Sequence, residues 1–273
     1  MGFLSQAVKL AKNPYASQAS KGVVYDPTDW IDSGNLLLNA QISGSMFKGI
    51  PRNMSIIFAG EPAAGKTFLV LGIVKKFLDM HPENEVIYFE SEGAIKTKTL
   101  EERGIDLDRF GIFPVRTVEE FKVQMFAMIK EAKEKSPRPS IMFCLDSLGQ
   151  LATTKELEDA DKGHEASDMG LKAKQIKASM RALRLDCALY GFPFLVTAHV
   201  FAGSSGNVPV SEVSGGKGVI FACDTTIMLT RSKIKEGEEF YEKGGSRVTS
   251  RFKKSRDTRD NTAAPFVIDY IHG

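Results

Sequence analysis

The sequence predicts an α/β fold: a mostly parallel, twisted sheet with helices on both faces and an antiparallel extension. Three observations carry this. Between residues 54 and 198, short apolar runs alternate with longer stretches of helical periodicity, the signature of strands and crossover helices. One strand-to-helix junction, residues 60–67, is a glycine turn of a specific type. After residue 224 the helical period disappears, and β-rich runs follow one another between turn signals.

The elements follow in chain order. Residues 1–30 form an expected N-terminal arm. A short amphipathic helix (Leu4, Ala7, Val8, Ala11) ends near Asn13 and Pro14, and a polar linker leads to Val23, Val24, Tyr25 and a turn at Asp26 and Pro27. This suits either a loosely docked terminus or an arm that packs on a neighbouring subunit. Residues 31–273 make up the core. Strands are expected at 54–59, 85–90, 111–115, 141–145 and 193–198, with helices at 66–80, 118–135 and 169–190. Strands at 225–230, 247–253 and 266–270 then form the antiparallel extension, with turns at Glu236-Gly237 and at Lys243 to Gly245. Two polar or glycine-rich stretches, 152–168 and 200–218, read as long loops after strand ends; loops of that length in a compact domain are functional or disordered.

Composition excludes several classes. The 273 residues are 42% hydrophobic and 26% charged, with a net charge of +2. That is a globular balance without a global polyanion signal. Cys144, Cys187 and Cys223 stand apart in apolar stretches, which favours buried reduced thiols over disulfides or metal ligands. No apolar run reaches the length of a membrane span, and the N-terminus lacks the features of a secretory signal. Gln6 fails the Ser/Thr position of a myristoylation motif that would begin at Gly2. A soluble, cytoplasmic protein with no membrane partner is the expectation.

Gly60, Glu61, Pro62, Ala63, Ala64, Gly65, Lys66 and Thr67 fit the phosphate-loop pattern G-x-x-x-x-G-K-[ST] in full, with Phe68 opening the helix that follows. The glycines let backbone N–H groups turn toward phosphate, Lys66 reaches the β/γ oxygens, and the Thr67 hydroxyl can hold Mg²⁺. A nucleoside triphosphate with Mg²⁺ is the expected ligand. The apolar run 141–145 ends in Asp146, an acid placed to support the metal. Glu90 and Glu92 share one face of an extended chain at the next strand end. Glu92, just past that end, is the better candidate to orient and polarise water. His199 closes the strand 193–198, where it could contact the γ-phosphate or be an ordinary satisfied polar residue.

The helix 169–190 carries two stripes. Met169, Ala173, Ile176, Met180, Leu183 and Cys187 are a core stripe. Lys174, Lys177, Arg181 and Arg184 suit either a solvated face or a phosphodiester backbone. Gly215, Gly216, Lys217 and Gly218 could bring N–H groups and a cation to phosphate. Lys254 and Arg256 have the spacing that points two strand residues the same way. They suit a charged hairpin edge, or a finger that neutralises charge on a neighbour's γ-phosphate.

In this order, the motifs resemble those of the RecA superfamily of recombinases, and most closely the UvsX-type recombinases of tailed phages. The carriers are Gly60–Thr67, the segment from Tyr88 to Glu92, Leu145-Asp146-Ser147, Lys155–Ala160 with Asp168 and Met169, Ala198-His199, Ser214–Val219, and Lys254 with Arg256. The likeness covers about residues 33–270. It implies a RecA-like ATPase core in which Glu92 is catalytic, with Lys66, His199, Lys254 and Arg256 acting on the phosphates. It implies DNA-binding loops near 152–168 and 200–218, with Met169, Lys174, Lys177, Arg181, Gly215, Gly216 and Lys217 at the DNA. The implied activity is ATP-dependent homologous pairing and strand exchange in a filament on single-stranded DNA, in repair and recombination-dependent replication. The implied partners are single- and double-stranded DNA, further copies of the chain in filaments or rings, and single-strand-binding and mediator proteins, in a host bacterial cytoplasm. The chain departs from the family at Thr99, where bacterial relatives stack a Tyr on adenine, and at its end, where the family's C-terminal region is expected to be absent. Two other readings stay open. A hexameric DNA helicase core shares the fold but needs a further N-terminal domain, and about 30 residues precede the core here. A non-catalytic accessory would bind ATP without exchanging strands.

Overall fold

The structure is a computed structural model that describes residues 2–163, 169–205, 208–234 and 245–269, with the backbone alone for 169, 202–205 and 208–211. The strands are β1 (Trp30–Ile31), β2 (Ile50–Pro51), β3 (Ser55–Gly60), β4 (Asn84–Glu90), β5 (Phe110–Pro114), β6 (Ser140–Asp146), β7 (Phe194–Ser205), β8 (Val208–Val213), β9 (Thr225–Ser232), β10 (Ser246–Lys254) and β11 (Ala263–Ile268). The helices are α1 (Phe3–Leu10), α2 (Leu36–Ser43), α3 (Lys66–Met80), α4 (Thr97–Glu102), α5 (Val118–Glu134), α6 (Thr154–Asp161), α7 (Met169–Tyr190) and α8 (Lys217–Ala222).

One sheet organises the core, in the order β11-β10-β9-β3-β7-β6-β4-β5, with β8 pairing the outer half of β7. Pairings from β9 through β5 are parallel, and β10 runs antiparallel to both β9 and β11. The alternating pattern of β3 explains the layers. Ile56 and Phe58 pack on one face with α3, and Ile57 and Ala59 on the other with α5 and α7. A strand buried on both faces reads as continuous apolar sequence, as 54–59 does.

The antiparallel extension is shorter than expected. Its first strand, β9, joins β3 in parallel, because α7, β7 and α8 supply a crossover that returns the chain in the same direction. β11 starts at Ala263, ahead of the expected 266. The turns at 236–237 and 243–244, like Tyr270, lie outside the described residues.

Both expected loops contain regular structure. Within 152–168, α6 is fixed by a capping box in which Thr153 accepts from Glu156 N and Glu156 reaches back to Thr153 N. Residues 164–168, Asp168 included, lie outside the described residues. Within 200–218, β7 continues to Ser205 and pairs antiparallel with β8, and α8 begins at Lys217. Polarity suppressed both elements in the sequence: neither has an apolar face long enough to register. The three cysteines are buried and free; burial pushes the Cys223 thiol up to about 12. No helix among the described residues is long and apolar enough to cross a membrane.

Candidate nucleotide site and basic face

Sheet register assembles the site. Gly60 is level with His199, and Glu90 with Asp146, so the carboxyl ends of β3, β7, β6 and β4 form one edge. Open α/β sheets bind ligands outside such edges. The turn after β3 requires glycine at two places. A Cβ on Gly60 would sit 2.6 Å from Leu229 O, and one on Gly65, at φ +87°, would sit 2.4 Å from Ile268 Cδ1.

The N-terminus of α3 is capped by Gly65 without a side-chain bond, and its first turn holds no acid. A helix start with neither a side-chain cap nor an acid in its first turn favours an anion. Lys66, only 7% exposed, donates to Gly60 O at 3.0 Å and Glu61 O at 2.9 Å. Burial lowers its pKa, against the opposing pull of Glu92 and Asp146. Among the described residues no carboxylate lies within ion-pair distance of it. A buried cation without a paired anion, beside a bare helix start, fits a polyphosphate.

Asp146 gathers three hydroxyls. Thr67 Oγ1 donates to Oδ2 at 2.7 Å, Tyr88 OH to Oδ2 at 2.6 Å, and Thr197 Oγ1 to Oδ1. A carboxylate has about four acceptor positions, so this one retains capacity for a metal-bound water. The Thr67–Asp146 pair therefore fits the support of a divalent cation.

Glu92 Oε1 lies 2.8 Å from His199 Nε2, and His199 Nδ1 lies 3.5 Å from Lys66 Nζ. Burial pushes the Glu92 carboxyl up, but the Ser147 hydroxyl, His199 and Lys66 together bring it below the usual range. It is thus an ionised base at neutral pH. Glu90 does not share its face. β4 ends at Glu90, whose carboxylate accepts from the N–H groups of Glu92, Gly93 and Ala94 at 3.2, 2.7 and 3.0 Å, so it shapes the turn that carries Glu92. Ser91 ties that turn to β6, through Ser91 Oγ to Ser147 O and Ser147 N to Ser91 Oγ, both 2.8 Å.

Along α3, Phe68 and Thr99 line a groove of about 680 Å³. The Arg103 guanidinium lies 3.7 Å above the Phe68 ring. Thr99, the departure from the resembled family, is thus on the groove wall, with Arg103 offering a planar group nearby.

On the next face, Lys174, Lys177, Arg181 and Lys217 are exposed, while Ile176, Met180, Leu183 and Cys187 are buried as the stripe predicts. Met169 opens α7, its side chain outside the described residues. Lys177 packs its stem against Gly218, and Gly215 and Gly216 take φ of +88° and +77° in the turn before α8. Ser214 N and Oγ both donate to His199 O, at 2.8 and 2.9 Å. The glycine turn is therefore tied by its backbone to the residue that touches Glu92. Arg184 is not part of an open stripe, since its Nε donates to Asp224 Oδ1 at 2.7 Å.

Lys254 and Arg256 do not join this site within one chain. β10 ends at Lys254, so Arg256 leaves the strand and does not share its face. Arg256 reaches Asp224, which bonds Ser55 at the start of β3, whereas the phosphate-loop motif begins at Gly60. The separation is five residue steps along an extended strand, about 17 Å.

No protein-family model matches the chain. It is 23% identical over 265 residues to a protein named "Recombination and repair protein" from Enterobacteria phage T4. That alignment covers 97% of this chain and 65% of the phage protein, so the chain spans under two thirds of the relative's length.

Sequence reasoning gave no role of their own to Tyr88, Thr197, Ser91 and Ser214, although three of them lie in the motif segments. Tyr88 and Thr197 carry a signal in hindsight: a hydroxyl on a strand otherwise buried on both faces needs a polar partner. Ser91 and Ser214 carry none, because loop serines are common.

Proposed function

We propose that this chain is the ATPase core of a homologous recombinase, hydrolysing ATP while assembled on single-stranded DNA and pairing that strand with a homologous duplex. One observation carries the reading: Lys66, Thr67–Asp146 and Glu92–His199 converge on one strand edge, and His199 is bonded onward to the Ser214–Lys217 turn. The phage relative, named for recombination and repair, supports the same direction.

In this reading residues 60–68 hold the phosphates and the adjoining groove takes the base and sugar. Thr67 and Asp146 hold Mg²⁺, which supplies charge neutralisation on the phosphate oxygens. Lys66 neutralises charge at the β/γ oxygens. Glu92, kept ionised by its neighbours, orients water and draws its proton. His199 senses the γ-phosphate side and bears on Ser214, which couples the site to the glycine turn. Lys174, Lys177, Arg181 and Lys217 meet the DNA backbone. Arg256 acts in a neighbouring subunit's site, since its own is a strand length away. Filaments or rings of the chain, with single-strand-binding and mediator proteins as further partners, follow from this.

Strand exchange between a circular single strand and a linear duplex, with ATP and Mg²⁺, tests the reading alongside electron microscopy. Joint molecules with filaments are expected. Rings with duplex unwinding would replace it with a helicase, and ATP binding without joint molecules would replace it with an accessory protein.

A further inference from the structure

Lys254 and Arg256 have different surroundings. Lys254 Nζ donates to Phe221 O at 2.9 Å and to Cys223 O, which ties it to the C-terminal end of α8. Arg256 is 48% exposed at its side chain and commits Nε to Asp224 Oδ1 at 3.0 Å. A guanidinium has five N–H donors in a rigid fork, so anchoring at Nε leaves the terminal amines for a second acceptor.

The anchor is itself fixed. Asp224 is 5% exposed. Its Oδ2 accepts from Ser55 N at 3.0 Å and Ser55 Oγ at 2.7 Å, and its own N donates to Ser55 O at 3.1 Å. Its Oδ1 takes Arg184 Nε and Nη2, both at 2.7 Å. Arg184 already gives this buried carboxylate one cationic partner, so charge neutralisation does not require Arg256 as a second. The neighbouring acid, Asp257, has its carboxyl pushed up by burial and by Asp224. A carboxylate locked to β3 and α7 thus holds a half-exposed guanidinium by one edge.

We propose that Asp224, braced by Arg184, is a positioning residue that aims Arg256 at the nucleotide site of a neighbouring copy of this chain. The proposal rests on the recombinase reading given above. Lys254, by contrast, is a strut for α8.

The test is single-stranded-DNA-stimulated ATP hydrolysis by Asp224→Asn and Arg184→Met, alone and in mixed assemblies. Arg184→Met leaves the Ser55 bonds intact and decides the matter if Asp224→Asn fails to fold. Each variant alone should lose at least tenfold in kcat, with KM and binding of a fluorescent ATP analogue unchanged. Mixed one to one with Lys66→Ala subunits, each should regain about a quarter of parent activity, the share of head-to-tail interfaces that join a sound phosphate loop to a sound finger. Mixed with Arg256→Ala, neither should recover. A merely structural defect would also spoil the variant's own nucleotide site and block recovery with Lys66→Ala. Parent-level kcat in Arg184→Met, while Arg256→Ala and Lys66→Ala still complement each other, would overturn the positioning role and leave the finger intact. Failure of that control pair would instead remove the finger reading itself.

Discussion

His199 Nε2 lies 2.8 Å from Glu92 Oε1, and the same ring turns Nδ1 toward Lys66 Nζ at 3.5 Å. With the proton on Nε2, the ring donates to the carboxylate and accepts from the ammonium. One histidine thus bridges the residue proposed to orient water and the residue proposed to hold phosphate.

Hydrolysis should depend on both ends of that bridge. Lys66→Ala should abolish ATP turnover. Glu92→Gln should keep nucleotide binding and lose about 10²–10⁴-fold in rate, the usual contribution of a positioned acid or base. The check is ATPase rate beside analogue binding. Equal turnover in Glu92→Gln and the parent would remove Glu92 from the chemistry.

Glu92 also predicts a pH dependence. Its folded pKa is lowered, with Ser147, His199 and Lys66 outweighing burial. Such a carboxylate adds stability that is complete above its unfolded value, about 4.3, and is lost as pH falls through the lower folded value. The urea-midpoint difference between the parent and Glu92→Gln should be constant near neutrality and shrink on acidification below about pH 4. A difference that stays level down to pH 3 would mean the neighbours do not favour the charged form.

Tyr88 is a stability prediction. Its hydroxyl is buried and donates to a carboxylate at 2.6 Å. Tyr88→Phe should cost about 1.5–3 kcal/mol, the range for hydrogen bonds to charged groups, read by urea denaturation. Nucleotide binding should need more Mg²⁺, because Asp146 loses one of its three orienting donors. A neutral effect on both would mean Thr67 and Thr197 hold Asp146 unaided.

The fold was legible wherever side chains were sorted by burial. Residues 54–59 and 141–145 read as strands because both faces are covered, and 66–80 matched α3 at both ends because its apolar residues must meet the sheet. α6 and the β7–β8 hairpin were not legible. A capping box and a ladder of backbone bonds hold them, and neither needs an apolar stripe. The site divides similarly. Lys66, Thr67, Asp146, Glu92 and His199 could be placed because register brings successive strand ends together. Asp224 could not, because its importance lies in Ser55, Arg184 and Arg256, residues that meet only after folding.

The basic face yields the last prediction. Lys174, Lys177 and Arg181 are exposed on α7, and the Lys177 stem packs against Gly218 beside the Gly215-Gly216 turn. Arg184 faces Asp224 instead, so the stripe available to DNA is three residues and not four. If these cations sit on phosphates, each releases counterions worth a slope of about 0.7 in log affinity against log salt on a single strand. Lys174→Glu with Arg181→Glu should therefore weaken single-strand binding and flatten that slope by about 1.4. The fold should survive, because neither side chain joins the buried stripe of Ile176, Met180, Leu183 and Cys187. Lys122→Glu with Lys130→Glu, two exposed positions on α5, makes the same change in net charge and is the control for charge alone. Fluorescence anisotropy across a salt series with a short oligonucleotide reads all three proteins. A double variant that tracks the control would return the stripe to a solvated face and move the DNA contact elsewhere on the strand edge.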